Sequence, residues 1–121
     1  MTEISVVVHP SNTESSIDEK TLSQIFLGKA KQFSGGNKVV TYEQEDGKAI
    51  KEKFHSMTTK KNASSLKAYW SRMMFTGKIQ PPKKVADDAS IINEVANNEN
   101  AIAYVDSSAV NDSVKVVHTF P

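Results

Sequence analysis

Apolar positions follow two different periods along this chain. Four short apolar runs, rich in β-branched residues and bounded by polar turns, predict strands at residues 4–8, 39–42, 101–105 and 114–117. Four stripes of apolar residues spaced three or four positions apart predict helices over residues 16–28, 46–57, 66–77 and 87–97. Pro81-Pro82 excludes helix and predicts an extended link. Strands separated by helices predict an α/β fold with a mainly parallel sheet.

Residues at the helix ends add local detail to this prediction. Ser16 stands three residues before Glu19, which is the spacing of a capping box, and Asp46 is a candidate N-cap for the second helix. Tyr69 and Trp70 lie in the apolar stripe of the third helix. We therefore expect that helix to carry the main aromatic core rather than a stacking site for a ligand.

Composition bounds the class of protein. The 121 residues are enough for one domain, predicted over residues 1–121, with 38% apolar and 24% charged residues. Fifteen Lys and Arg against 14 Asp and Glu leave a net charge of +1, which disfavours a nucleic-acid partner. The lysine pairs at 60–61 and 83–84 are interpreted as solvated turns rather than an anion-attracting patch. No apolar run approaches the roughly 18 residues that span a bilayer, so no membrane insertion is expected.

Catalytic and metal-binding patterns are weak. There is no cysteine, and no short spacing groups the three histidines, His9, His55 and His118. No strand-to-helix Gly-x-Ser-x-Gly turn is present. The cluster of carboxylates is interpreted as a solvated loop rather than an acid–base pair: Glu43, Glu45 and Asp46. The sequence therefore predicts no enzyme, no catalytic residues, no metal site and no cofactor.

Two strand-to-helix junctions carry groups that suit a small oxyanion. One contains Ser11, Asn12 and Thr13, and the other contains Gly47, Lys48 and Ala49. A helix N-terminus offers free N–H groups and a partial positive charge to an anion. Ligands of open parallel sheets bind at the carboxyl ends of the strands, so we expect both junctions at one edge of the sheet. The alternative, that these residues only cap turns and helices, remains open.

Several motifs in a fixed order resemble the substrate-binding component of bacterial phosphate ABC transporters. The resemblance is strongest to a group of small single-lobe relatives and covers about residues 4–117. Its motifs, in chain order, are Val8-His-Pro-Ser-Asn12, Ile25-Phe-Leu-Gly-Lys29, Ala68-Tyr-Trp-Ser-Arg72, Phe75-Thr-Gly-Lys78, Pro81-Pro82 and Ala101-Ile-Ala-Tyr-Val105. The resemblance implies a single lobe of a type 2 periplasmic-binding-protein fold, with a mixed, mainly parallel sheet flanked by helices.

The same resemblance implies a function and a location. It implies an oxyanion such as phosphate as ligand, export to the periplasm, and an ABC permease or another protein as partner. Met1 then has two open interpretations, the start of the chain itself or an initiator added to a mature chain whose export signal was removed. Full-length relatives close two lobes over the ligand, and this chain resembles only one, so binding is expected to be weak unless two chains associate.

The chain departs from the family at the motif that binds phosphate. Ser-Gly-Thr of that motif falls on Lys48, Ala49 and Ile50, and its Arg falls on Gln44. In the small relatives a Ser and an Arg three residues apart are usual, and here they read Lys48 and Lys51. The hydroxyl donors and the bidentate guanidinium are therefore absent.

Two functions of different classes remain. In the first, the chain binds phosphate or another small oxyanion weakly at Ser11, Asn12, Thr13, Gly47, Lys48 and Ala49. In the second, it is a protein-interaction or accessory module that keeps the fold and has lost anion binding. An enzyme is the least favoured alternative, since only unpaired carboxylates support it.

Overall fold

The computed structural model describes residues 3–77, 79 and 81–121. Lys78, the last residue of the Phe75–Lys78 motif, lies outside this description, as does Met1. The strands are β1 (Ile4–Val8), β2 (Val40–Gln44), β3 (Lys83–Val85), β4 (Ala101–Asp106) and β5 (Lys115–Phe120). The helices are α1 (Glu19–Phe26), α2 (Ala49–Met57), α3 (Ala63–Thr76) and α4 (Asp88–Ala96), with a 3-10 turn at Ser107–Ala109.

The predicted strands and helices are all present, and one strand was missed. β3 has only three residues and follows two prolines, so its pattern is too short to separate from an extended link. It also shows that the interpretation of the lysine pair 83–84 as a solvated turn is wrong, because both lysines lie in this strand.

The five strands form one sheet in the order β3-β2-β4-β1-β5. β2 is parallel to β3 and to β4, whereas β1 is antiparallel to both of its neighbours, β4 and β5. Four strands therefore run in one direction and β1 alone runs in the other. The prediction of a mixed, mainly parallel sheet flanked by helices is confirmed.

The reversed direction of β1 decides which loops share an edge of the sheet. Val8 at the end of β1 and Thr41 near the start of β2 are both paired with Ile102 of β4. The end of β1 consequently lies at the edge where β2 and β4 begin, which we call the amino edge. The opposite edge, where Gln44 ends β2 and Asp106 ends β4, is called the carboxyl edge.

Helices cover both faces of the sheet. Val6 and Val8 face a core with α1 and α2, whereas Val7 faces a second core with α4. This alternation follows from the two-residue period of a strand, and it explains why β1 is apolar at nearly every position. Each fully buried valine contributes roughly 1.5–3 kcal/mol of transfer free energy.

The main aromatic core lies under α2, not on α3. Phe54 of α2 stacks on Tyr104 of β4 with ring centroids 3.9 Å apart, and Phe26 meets Phe54 edge-on at 4.9 Å. Tyr69 and Trp70 of α3 are buried in a smaller cluster that packs against the end of α1. The expectation that α3 carries the main core is wrong because Phe54 of α2 packs on Tyr104 of the central strand β4, whereas Tyr69 and Trp70 belong to the smaller cluster.

Two predicted helix caps are also corrected. The N-cap of α1 is Asp18, whose side chain accepts from the Thr21 N–H, so Ser16 is not the capping residue. The N-cap of α2 is Lys48, two residues after Asp46, and its side chain makes no capping hydrogen bond. None of the helices in the described part of the chain combines the length and apolar character that crossing a bilayer requires.

Candidate functional site

The start of α2 lies directly at the carboxyl edge. β2 ends at Gln44, Gly47 adopts a left-handed φ of +88°, and Lys48 returns to an extended conformation before Ala49 opens the helix. Only glycine takes such a positive φ without strain, so Gly47 permits the short turn. The Lys48 side chain does not cap the helix, and the Lys51 N–H donates to the Lys48 carbonyl, so the N–H groups of Ala49 and Ile50 are the ones that can donate to an external anion.

Lysine side chains surround this helix start and already have partners. Lys51 Nζ lies 2.8 Å and Lys84 Nζ lies 2.7 Å from the carboxylate of Asp46. Lys48 Nζ donates to the carbonyl of Ala86, in the link between β3 and α4. Hydrogen bonds from Lys51 and Lys84 lower the pKa of Asp46 from 3.8 to about 2. The lysine cluster is therefore partly neutralised by one carboxylate, whose side chain is 71% exposed.

Asp88, the first residue of α4, also lies at the carboxyl edge and contacts the ends of β2 and β4. Its carboxylate accepts from the side chain of Gln44 and, at 3.3 Å, from the backbone N–H of Asp106. At the same edge, Ser5 of β1 is hydrogen-bonded at 2.6 Å to Ser107 in the 3-10 turn that follows β4. This edge therefore mixes positive and negative groups, and the start of α2 is its most cationic part.

Glu43 and His55 form a buried pair that sequence reasoning missed. Glu43 is 1% exposed, and its Oε1 lies 2.5 Å from His55 Nε2 and accepts from the Tyr104 hydroxyl at 2.8 Å. Burial, reinforced by the charge of Glu43, raises the pKa of Tyr104 far above its usual range. The interpretation of a solvated loop is wrong for Glu43, and it holds for Glu45 and Asp46, which are exposed.

The hydrogen bonds around His55 define its role. Thr59 Oγ1 lies 2.9 Å from His55 Nδ1 and 3.3 Å from the carbonyl oxygen of His55. His55 Nε2 faces Glu43 Oε1, so both ring nitrogens of His55 have a hydrogen-bond partner. The pair thus ties α2 to β2, and through Tyr104 to β4.

A cavity of about 540 Å³ opens between α2, α3 and residues 81–84. Glu43 and His55 lie at its floor. Its apolar wall consists of Leu66, Trp70, Met74, Pro81 and Pro82. Charged side chains at its rim are Asp46, Lys51, Glu52, Lys67 and Lys84. The cavity therefore adjoins the start of α2, since Gly47 also contributes to its lining.

The predicted junction at Ser11, Asn12 and Thr13 lies at the amino edge of the sheet, whereas Gly47 lies at the carboxyl edge. The expectation that the two junctions share one edge is wrong, because β1 runs antiparallel to β4. Asn12 Oδ1 accepts from the Glu14 N–H at 2.8 Å, which stabilises the local turn. A further loop separates this turn from the start of α1.

The histidines and carboxylates of the described residues do not form a metal site. Across residues 3–77, 79 and 81–121, no three His, Asp or Glu side chains come together as a metal ion requires. His9 is engaged in the turn after β1, where its Nδ1 lies 2.8 Å from the Ser11 hydroxyl, and His55 is engaged with Glu43.

Comparison with solved structures gives consistent matches over nearly the whole chain. A Clostridium perfringens protein assigned as a phosphate ABC transporter substrate-binding protein, with bound phosphate, matches at a TM-score of 0.77 and 21% identity. An ABC-type phosphate transport receptor from Vibrio cholerae matches at 0.77 and 17%, and PstS from Borrelia burgdorferi at 0.73 and 9%. No protein-family model and no curated protein matches the sequence.

The matches cover a much larger fraction of this chain than of the proteins that it matches. They cover 96%, 97% and 96% of this chain, but only 45%, 46% and 47% of the matched proteins. The chain thus spans less than half the length of the solved structures that it matches. It has the fold of a single lobe of the phosphate ABC transporter substrate-binding proteins.

Proposed function

We propose that this chain binds phosphate or a similar small oxyanion, weakly, at the start of α2. The observation that carries the proposal is the uncapped N-terminus of α2 at the carboxyl edge, beside Lys48, Lys51 and Lys84. Backbone N–H groups and ammonium groups are both suited to an oxyanion. The presence of bound phosphate in the Clostridium protein, which has the same fold, adds support.

The composition of this site explains why the proposed binding is weak. Asp46 already occupies the ammonium groups of Lys51 and Lys84, so an entering anion competes with an internal carboxylate. The sequence has one arginine, Arg72, which lies in α3 and not at the start of α2, so the first turn of α2 itself supplies no guanidinium for bidentate recognition. Ser11, Asn12 and Thr13 lie at the amino edge and are not part of the proposed site.

Location and partner follow from the same proposal. A single-lobe binding module related to transport proteins acts in the periplasm, and an ABC permease or another protein is its partner. The fold likeness supports both statements, with identities of 9–21%.

The test removes one donor from the site without disturbing the helix. Ala49→Pro deletes the Ala49 N–H, and proline is favoured at the first position of a helix, particularly after an extended residue such as Lys48. Loss of a hydrogen bond to a charged ligand should weaken phosphate affinity about tenfold or more in calorimetric titration.

A matched control makes the same change at another helix. Glu19→Pro replaces the first residue of α1, which follows the extended N-cap Asp18 and lies outside the cavity lining, and it should leave phosphate affinity unchanged. Equal phosphate affinity in Ala49→Pro and the unaltered protein would show that α2 is not the site.

A second function, a protein-interaction module, is favoured by one observation. Phe75 is 93% exposed and Met74 is 54% exposed at the end of α3. Exposed aromatic residues are enriched in interfaces between proteins. If this function is self-association, the sedimentation coefficient of the protein should rise with concentration. Phe75→Ser should abolish this rise, whereas the control Thr76→Ser should keep it. A protein that stays monomeric at all concentrations excludes self-association.

A further inference from the structure

We propose that the cavity between α2 and α3 makes this protein a receptor for an organic oxyanion. The ligand is a small phosphate monoester, or a carboxylate of similar shape, whose apolar body lies beside Trp70 and whose anionic head lies at the start of α2. The inference rests on the proposed function and deepens it, because it names the ligand class of the same site.

The size of the cavity argues against inorganic phosphate alone. Its volume of about 540 Å³ falls within the roughly 300–1,000 Å³ typical of small-molecule sites. An inorganic phosphate ion at the helix start would leave most of this volume unfilled. A ligand with an organic body would fill the cavity, and the space therefore favours the larger class.

The wall of the cavity is apolar on one side. Leu66, Trp70 and Met74 line it from α3, and Pro81 and Pro82 line it from the segment before β3. Trp70 is 9% exposed and contributes a small aromatic area, whereas Pro81, Pro82 and the 54% exposed Met74, whose side chain adapts its shape, offer larger apolar surfaces. An inorganic ion gains nothing from these contacts, whereas a ring or alkyl group is stabilised by leaving water.

The rim of the cavity favours an anionic head. Three ammonium groups, those of Lys51, Lys67 and Lys84, lie at the rim together with the carboxylates of Asp46 and Glu52. Lys67 is exposed and forms no ion pair with any residue that the structure describes. One ammonium group is thus available to the ligand without breaking an internal pair.

The floor of the cavity sets the orientation of the ligand. Glu43 and His55 satisfy each other, and Tyr104 and Thr59 complete their hydrogen bonds. Because the polar atoms of this pair already have hydrogen-bond partners within the protein, the floor requires no hydrogen bond from a ligand. The apolar body therefore lies inward, and the charged head lies outward at the rim.

Trp70 makes the test direct, because it is the one tryptophan in the sequence and it lines the cavity. Tryptophan fluorescence is followed during titration with phenyl phosphate, inorganic phosphate and benzyl alcohol. Phenyl phosphate should change the Trp70 emission saturably and bind at least about tenfold more tightly than phosphate, since burying a ring contributes more than about 1.4 kcal/mol. Benzyl alcohol should bind much more weakly, because it lacks the anionic head.

A cavity-filling variant provides the second measurement. Ser71 lines the cavity from α3, and Ser71→Phe should remove the advantage of phenyl phosphate while phosphate affinity, measured by calorimetry, stays the same. Ser64→Phe places the same ring at an exposed position of α3 outside the cavity lining, and it should change neither affinity. Thermal unfolding of both variants verifies that they fold.

Each other outcome overturns the inference in a distinguishable way. Equal, saturable binding of phosphate and phenyl phosphate would refute the organic ligand and leave the proposed function standing. Absence of binding by both anions would refute the two proposals together. Benzyl alcohol binding as tightly as phenyl phosphate would show that the cavity selects an apolar body without an anionic head.

Discussion

The segments that follow β1 and β2 look alike in sequence and have opposite places in the fold. Both are short polar stretches after a buried strand and before an amphipathic helix. Residues 9–13 lie at the amino edge and lead through a further loop to α1, whereas residues 45–48 lie at the carboxyl edge and lead directly into α2. Strand direction, not local composition, decides which segment can take part in an anion site.

The two segments also differ in what holds them. The turn after β1 depends on local bonds, such as the one from Asn12 Oδ1 to the Glu14 N–H. The turn after β2 is supported on both sides of the chain. Glu43, just before it, is buried against His55, and Asp46, within it, forms exposed ion pairs with Lys51 and Lys84. We therefore expect unequal consequences when each support is removed.

Removing the Glu43 side chain should cause the largest loss of stability of the fold. Glu43→Ala leaves His55 and Tyr104 without their shared acceptor in a buried site, which should lower the free energy of unfolding by about 3–5 kcal/mol. Urea denaturation measures this change. Glu43→Gln is the control, since it keeps an acceptor in the same place and should cost less. A loss below about 1 kcal/mol in Glu43→Ala would contradict the structural role of the pair.

Adding a side chain at Gly47 should have the next largest effect. Its φ of +88° is unfavourable for other residues, and a Cβ there meets no atom within 4 Å, so the cost is backbone strain of about 1–2 kcal/mol. Thermal unfolding of Gly47→Ala measures the cost. Gly47→Asn should recover part of it, because asparagine tolerates this conformation. Equal stability of all three proteins would refute the left-handed turn.

Removing the Asn12 side chain should cost about 1 kcal/mol in stability, because one partly buried backbone bond is lost. The same Asn12→Ala variant should bind phosphate with unchanged affinity, since the turn lies at the amino edge. Calorimetry on this variant thus separates the two segments. A tenfold loss of phosphate affinity in Asn12→Ala would place the anion at the amino edge and contradict a site at the start of α2.

Protonation of Asp46 at low pH should cause the smallest loss of stability. The pKa of Asp46 is lowered in the folded state to about 2 from 3.8, so its ion pairs stabilise the fold above about pH 4. That contribution is lost as pH falls from about 4 to 2, and it should stay below about 1 kcal/mol because the side chain is exposed. Asp46→Asn should lack this part of the pH dependence of urea unfolding; an identical pH profile would refute it.

Much of the fold was predictable from periodicity alone. Buried strands such as 4–8 and 101–105 and the stripe through Phe54 gave elements that the structure confirms, because burial imposes those periods. β3 was not predictable, since three residues carry no period. The direction of β1 was not predictable either, because both directions bury the same side chains.

The candidate site was predictable only in part. The segment 47–49 was identified because a helix starts after a strand there, and that feature is local. The pairing of Glu43 with His55 required knowledge that α2 packs over β2, so the carboxylate was interpreted as solvated. The cavity beside Trp70 depends on how α3 meets residues 81–84, which no pattern in the sequence indicates.

The measurement that tests the central claim most directly is a ¹⁵N amide NMR titration with phosphate, beside sulfate and chloride at matched ionic strength. We predict saturable shifts at Gly47, Lys48 and Ala49, strongest for phosphate, and no specific shifts at 11–13. Shifts concentrated at 11–13, or shifts equal for all three salts, would contradict an oxyanion site at the start of α2.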